Sequence, residues 1–195
     1  MEEHLQDIPY PVRVMHWVHL VSIFSLAFTG ICIRHRLFER YLVLQRRHHY
    51  YFMVIILINL VVRIVYAFRD ETRTYRDFAI GWEDIRNIPQ VLRYYIFLQD
   101  DYPHIAKYAA MQKVAYNLFW IMTIVQGYVG FAILRPGLLF GWGGNPDVTI
   151  IWARNIHTAI MWFFIIMTSV HMYIATIEGF PLLRLMLFGI EHEEQ

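Results

Sequence analysis

Long apolar runs separated by charged stretches set the pattern of this chain. Four runs are long enough to cross a membrane: Val12 to Ile33, Tyr51 to Phe68, Val114 to Leu134 and Ile150 to Ile177. Each supplies the ~17–25 mainly apolar residues that a helix needs to traverse a hydrocarbon core about 30 Å thick. Inside such a core only a helix or a closed barrel satisfies its own backbone. The pattern predicts an all-α membrane protein, a bundle of four transmembrane helices in one domain spanning 1–195. An even number of spans returns both termini to one side.

Between the second and third spans, about Arg69 to Lys113, polar residues take over. Trp82, Ile85, Ile88, Leu92 and Ile96 nevertheless recur there at helical spacing. This predicts a surface amphipathic segment, lying on the membrane or against a partner. Pro89 interrupts it, so one kinked helix and two short pieces are both open. RPGLLFGWGGNPD, between spans three and four, is a compact excursion rich in turn residues. Trp17, Tyr50, Tyr51, Tyr66, Trp120, Trp142 and Trp152 cluster near span ends as interfacial belts do, although packing accounts for any one of them alone. After the fourth span, GFPLLRLMLFGIEHEEQ is apolar enough to lie along the surface, as an anchor or as the wall of a pocket.

A composition 57% hydrophobic with mean hydropathy +0.37 excludes an ordinary soluble domain. Formal net charge is +1, from 17 Lys+Arg against 16 Asp+Glu, which argues against a nucleic-acid partner. Cys32 is the one cysteine, so there is no disulfide framework, no cysteine set for a nickel–iron centre or an iron–sulfur cluster, and no C-x-x-C-H for covalent haem. The N-terminal MEEHLQDIPYPVRVMHW is acidic and lacks a small-residue cleavage site, so the first span is expected to stay. Arg13, Arg69, Arg73, Arg76, Arg86, Arg93, Lys107, Lys113 and Arg184 fall on the termini's side. Opposite them are Arg34, Arg36, Arg40, Arg46, Arg47, Arg135 and Arg154, so nine cations against seven lean slightly towards cytoplasmic termini.

The chemistry lies in the histidines, of which there are ten. His4, His35, His104 and His192 fall in polar ends or loops and read as solvated. His157 and His171 lie fourteen positions apart in the fourth run. That is close to four helical turns, so both rings leave one face about 21 Å apart along the axis. Ionisable groups inside a span are costly and mark function. His16 and His19 open the first span, and His48 and His49 open the second, at the opposite face of the membrane. Depth therefore proposes two pairs, His49 with His157 and His16 with His171. Two neutral imidazoles saturate a haem iron and leave no open position, so such sites transfer electrons. Zinc does not fit, because two histidines so far apart on a rigid helix cannot both reach one ion at ~2 Å. Proton relay is the competing role. Gly30, Gly127, Gly130 and Ala159 give a porphyrin room, or serve close helix packing. Arg63 can meet a haem propionate, a lipid head group, or water by snorkelling.

PVRVMHW with L-x-F-T-G in span one, R-x-x-H-Y and V-R-I-V-Y-A-F in span two, and RNIH-x13-H-M-Y in span four resemble the b-type cytochrome subunits of membrane-bound nickel–iron hydrogenases. More broadly, they resemble the cytochrome b subunits of respiratory formate dehydrogenases. The resemblance covers nearly the whole chain. It implies a di-haem cytochrome b domain with two haem b, multi-pass in the cytoplasmic (inner) membrane. On the periplasmic face it would sit beside the small and large hydrogenase subunits. Electrons from hydrogen would enter at the haem on His49 and His157, pass to the haem on His16 and His171, and reduce the quinone pool, menaquinone or ubiquinone. The chain would then be a subunit of a hydrogen:quinone oxidoreductase and would not itself activate hydrogen. Alignment on Arg46 and Arg63 favours His49 over His48. Where related proteins carry an Asn near the quinone pocket, this chain has Ala109 or Ala110, which leaves Tyr108, Gln112 and Lys113 as polar candidates. The same architecture serving a formate dehydrogenase or a sulfur-compound reductase is one rival, with the partner surface in loops such as Glu39 to Gln45 and Gly137 to Asp147. A haem-free anchor or proton carrier is the other.

Overall fold

A computed structural model describes residues 8–69, 79–99, 110–135, 146–178 and 180–189, and among these the regular structure is entirely helical. The first helix, α1, is Tyr10–Arg34. Pro9 leads in with an extended backbone (φ −53°, ψ 137°), and Pro11 occupies the first turn, where a missing N–H leaves no hydrogen bond unmade. At the far end His35 N–H donates to Ile31 O at 3.0 Å and Leu37 N–H to Cys32 O at 2.9 Å. Arg36 (φ 53°) and Phe38 (φ 55°) then take left-handed conformations that turn the chain. A 3-10 turn, Glu39–Tyr41, delivers it into α2, Leu42–Arg69.

The helix α2 starts nine residues before the apolar run at Tyr51. LVLQRRHHY holds neither glycine nor proline and consists largely of good helix formers, so the helix continues through a charged segment that hydropathy alone excludes. His48 and His49 accordingly sit in the second turn of a helix already under way. The helix α3, Trp82–Tyr95, runs through Pro89 as one element. It packs against α4, Ala110–Leu134. Of the residues at the apolar spacing only Ile88 is half-buried, beside the stripe that packs. Val91 and Tyr95 are buried, whereas Trp82 (79% exposed), Ile85, Leu92 and Ile96 face outward, as a helix at a membrane interface requires.

Pro146–Glu178 forms α5 and Phe180–Phe188 forms α6. Gly189, at φ +79°, ends α6 with its N–H donated to Leu185 O at 3.0 Å. Among the described residues four helices are long and apolar enough to cross a membrane, covering Tyr10–Arg34, Glu39–Arg69, Lys113–Leu134 and Thr149–Ile177. The fold class is therefore all-α with four spans. Exposed Phe28, Val61 and Ile166 fit lipid-facing surfaces, while Ser22, Thr29, Asn59, Thr123 and Thr168 are buried. Ser22 and Thr123 satisfy their hydroxyls inside their own helices, on Val18 O at 2.7 Å and Phe119 O at 2.6 Å.

By their packing the residues form two compact units, 1–59 with 163–195, and 60–162. In the first, α1 and the beginning of α2 run antiparallel, with Asn59 Nδ2 donating to Met15 O at 3.0 Å. The second holds the end of α2, α3, α4 and the beginning of α5. Its small core is Val129, Ala132 and Ala153 with Ile133 against them, and two alanines there let α4 and α5 approach closely.

Candidate functional site

In the first unit, the neighbours of His16 are held on both sides, Met15 by its backbone and Trp17 by its side chain. The Met15 carbonyl accepts from Asn59 of α2, and the Trp17 indole N–H donates to Met186 O of α6 at 3.0 Å. Trp17 also meets the His16 ring edge-on, with centroids 5.6 Å apart. Held in this way, His16 faces His171 of α5, their ring centroids 6.0 Å apart and the planes inclined at 63°.

That separation tests the haem reading. Two imidazoles that held one metal ion between them, each by a bond of ~2 Å, would have ring centroids about 6 Å apart. The observed 6.0 Å matches this value, and a bis-imidazole site tolerates inclined ring planes. The residues fit the group. His19, one turn beyond His16, is the rival on the same face, and the ring opposite His171 is that of His16.

His49, also in the first unit, shows which of its nitrogens is available. Thr29 Oγ1 lies 2.8 Å from His49 Nδ1 and 2.6 Å from Ser25 O. A hydroxyl has one hydrogen, and a carbonyl can only accept, so that hydrogen goes to Ser25. His49 must then donate Nδ1–H to Thr29 Oγ1. The Leu26 carbonyl, 3.3 Å from the same hydroxyl oxygen, is a second acceptor for the Thr29 hydrogen. The tautomer so fixed carries its lone pair on Nε2, the state a metal ligand needs.

In the second unit, His157 is seated against α4. A Cβ on Gly130 would lie 3.0 Å from His157 Cε1 and 3.5 Å from Nδ1, so a larger residue there crowds the ring. One turn earlier on the same face, Gln126 Nε2 donates to the His157 backbone carbonyl at 3.0 Å. Of the small residues open to two readings, Gly130 therefore makes room for the imidazole itself. Arg63 stacks its guanidinium over Trp120, 6.0 Å from the ring centroid, with Nη1 buried and without a hydrogen-bond partner among the described residues. A buried donor of this kind suits a propionate oxygen.

His49 belongs to the first unit and His157 to the second. Tyr108 lies outside the described residues, as does the side chain of Gln112. Lys113 is engaged, its Nζ donating to both Asp84 oxygens at 3.0 and 3.1 Å, with both side chains 13% exposed. Asp84 also accepts the Gly81 N–H at 2.8 Å, closing the start of α3. The Gly81 N–H first, and the Lys113 ammonium second, hold the Asp84 carboxyl below the usual carboxylate range. Sequence reasoning did not reach Thr29, Gln126 or Asp84 as partners. Thr29 lies inside the quoted L-x-F-T-G motif, whereas the other two carry no local signal.

Residues 7–189 match the prokaryotic cytochrome b561 family. Similar proteins include the "Probable Ni/Fe-hydrogenase B-type cytochrome subunit" of Azotobacter vinelandii, 25% identical over 196 residues that cover 86% of this chain and 78% of that one. The subunit of the same name from Rhizobium leguminosarum bv. viciae is 25% identical over 193 residues, 86% of this chain and 79% of that one. Its counterpart in Azotobacter chroococcum mcd 1 is 26% identical over 196 residues, 86% and 78% of the respective chains.

Proposed function

Because the chain belongs to the prokaryotic cytochrome b561 family, we propose that it is the membrane-anchoring electron-transfer subunit of a nickel–iron hydrogenase, passing electrons from the periplasmic face to quinone. It binds two haem b, one on His16 and His171 and one on His49 and His157. The observation that carries this reading is the His16–His171 pair, with centroids at 6.0 Å. When bound, haem supplies one-electron oxidation and reduction at an iron with no open position.

The chain's own residues set the terms of that chemistry. Asn59 holds the Met15 carbonyl before His16, Met186 holds the Trp17 indole after it, and Thr29 fixes the His49 tautomer. Gly130 and Gln126 seat His157, and Arg63 offers a buried donor to a propionate. Tyr108, Gln112 and Lys113 are the proposed polar contacts of quinone. Lys113 spends two donor directions on Asp84 and keeps a third ammonium hydrogen for a quinone carbonyl. The termini are cytoplasmic in this reading, so protons for quinol would come from that side.

His171→Ala in the assembled complex tests it. Quinone reduction by hydrogen should disappear while hydrogen oxidation with an artificial dye persists. Loss of both activities, or of neither, would overturn the assignment.

A further inference from the structure

The first two turns of α1 and the last turn of α6 enclose a cleft of about 220 Å³. Its lining is mainly apolar, from Val14, Val18, Met186 and Leu187 together with the rings of Trp17 and Tyr10. Arg13 is the one cation among the lining residues. The Trp17 indole N–H is already given to Met186 O, so the guanidinium is the cleft's charged donor.

Arg13 is held tightly. Its Cζ lies 5.7 Å from the centre of the Tyr10 ring. On its other side a Cβ at Gly189 would come within 2.8 Å of Nη1 and 3.0 Å of Cζ. Gly189 also has φ +79°, so glycine there serves both the end of α6 and the approach of the guanidinium. In this position Arg13 Nε is buried with no hydrogen-bond partner among the described residues. A buried, unmet donor on a rigid planar fork is matched by an anion that accepts from Nε–H and Nη–H together.

Depth identifies the anion. Arg13 is the fourth residue of the first candidate span, close to its end, and Tyr10 and Trp17 flank it as aromatic residues do at a membrane interface. Arg184, exposed on α6, adds positive charge on the neighbouring helix. The geometry points to a seat for an anionic phospholipid. Its phosphate oxygens accept from the Arg13 fork, and an acyl chain lies along Val14, Val18 and Leu187. A quinone carbonyl is neutral and offers no second oxygen to the fork. A zwitterionic lipid brings its phosphate together with an ammonium that the guanidinium repels. A lipid so bound splints α6 to α1 beside Trp17 and His16.

The test is native mass spectrometry of the full chain, purified in detergent, freed of lipid, and titrated with palmitoyl-oleoyl phosphatidylglycerol, the matching phosphatidylcholine, or a short-chain ubiquinone analogue. The expected result is one retained phosphatidylglycerol, bound about tenfold more tightly than phosphatidylcholine. Arg13→Gln should bring phosphatidylglycerol down to the phosphatidylcholine level, and Arg13→Lys should fall between. Val14→Trp, which fills the cleft and keeps the charge, should lose the retained lipid and guards against a misfolded Arg13 variant. Equal retention of the two lipids would overturn the seat and return Arg13 to a counter-charge at the C-terminal end of α6. Undiminished phosphatidylglycerol binding by Arg13→Gln, or preference for the quinone analogue, would overturn it equally.

Discussion

Replacing Thr29 with valine keeps the shape of the side chain and removes the oxygen that accepts from His49 Nδ1–H at 2.8 Å. An imidazole that donates from Nδ1 is the more electron-rich at Nε2, which favours ferric iron. Losing that acceptor should therefore raise the midpoint potential of the haem on His49. The net value of a neutral hydrogen bond is about 1 kcal/mol. For a one-electron couple, ~59 mV corresponds to a tenfold change in equilibrium, or ~1.4 kcal/mol, so the whole bond is worth ~40 mV. Only the difference between oxidation states counts. An upward shift of about 20–40 mV is expected, in one haem only. Haem affinity at that site should fall about tenfold, the lower end of what loss of an outer-shell partner costs. Potentiometric titration of the reduced-minus-oxidised spectrum reads both quantities, and Thr29→Ser should restore the wild-type potential. A downward shift, an equal shift in both haems, or no shift with haem content intact would refute the reasoning.

Gly130→Val should displace the His157 ring, since even the first added carbon lies 3.0 Å from Cε1. Loss of one haem with retention of the other is the expected pyridine-haemochrome result, and retention of both would count against His157 as a ligand. Asp84→Asn should loosen α3 from α4 and speed hydrogen exchange across Trp82–Tyr95, leaving haem content unchanged. The Asp84 carboxyl is held below 3.8, so the link to Lys113 and Gly81 contributes fully above that value and is lost as pH falls through the lowered one. Protection of the α3 amides, measured against the intrinsic exchange rate at each pH, should accordingly be flat from pH 7 down to about 4 and fall at lower pH; a fall centred near pH 6 would contradict the assignment.

The four spans were legible because run length is a direct consequence of bilayer thickness. The start of α2 was not, because LQRRHH is polar and still helical, and hydropathy cannot separate a charged helical turn from a loop. For α3 the period announced a helix but left the packed stripe open, since 82, 85, 92 and 96 lie beside 84, 88, 91 and 95 on the helix surface. Matched depth anticipated His16 opposite His171, and the structure distinguishes His16 from His19 by the ring contact. Partners supplied by a different helix stayed hidden: Thr29 for His49, Gln126 for His157, Gly189 for Arg13, and Asp84 for Lys113. These depend on the rotation of one helix against another, which a single sequence does not encode in any local pattern.

The central claim is a pair of b haems on four histidines, and haem per polypeptide in the purified chain tests it most directly. Pyridine haemochrome with a dithionite-reduced spectrum should give two b haems in the wild type and one in His171→Ala, the survivor keeping its own potential. No haem, or two haems undiminished by His171→Ala, would contradict the account and leave the anchor or proton-carrier reading in its place.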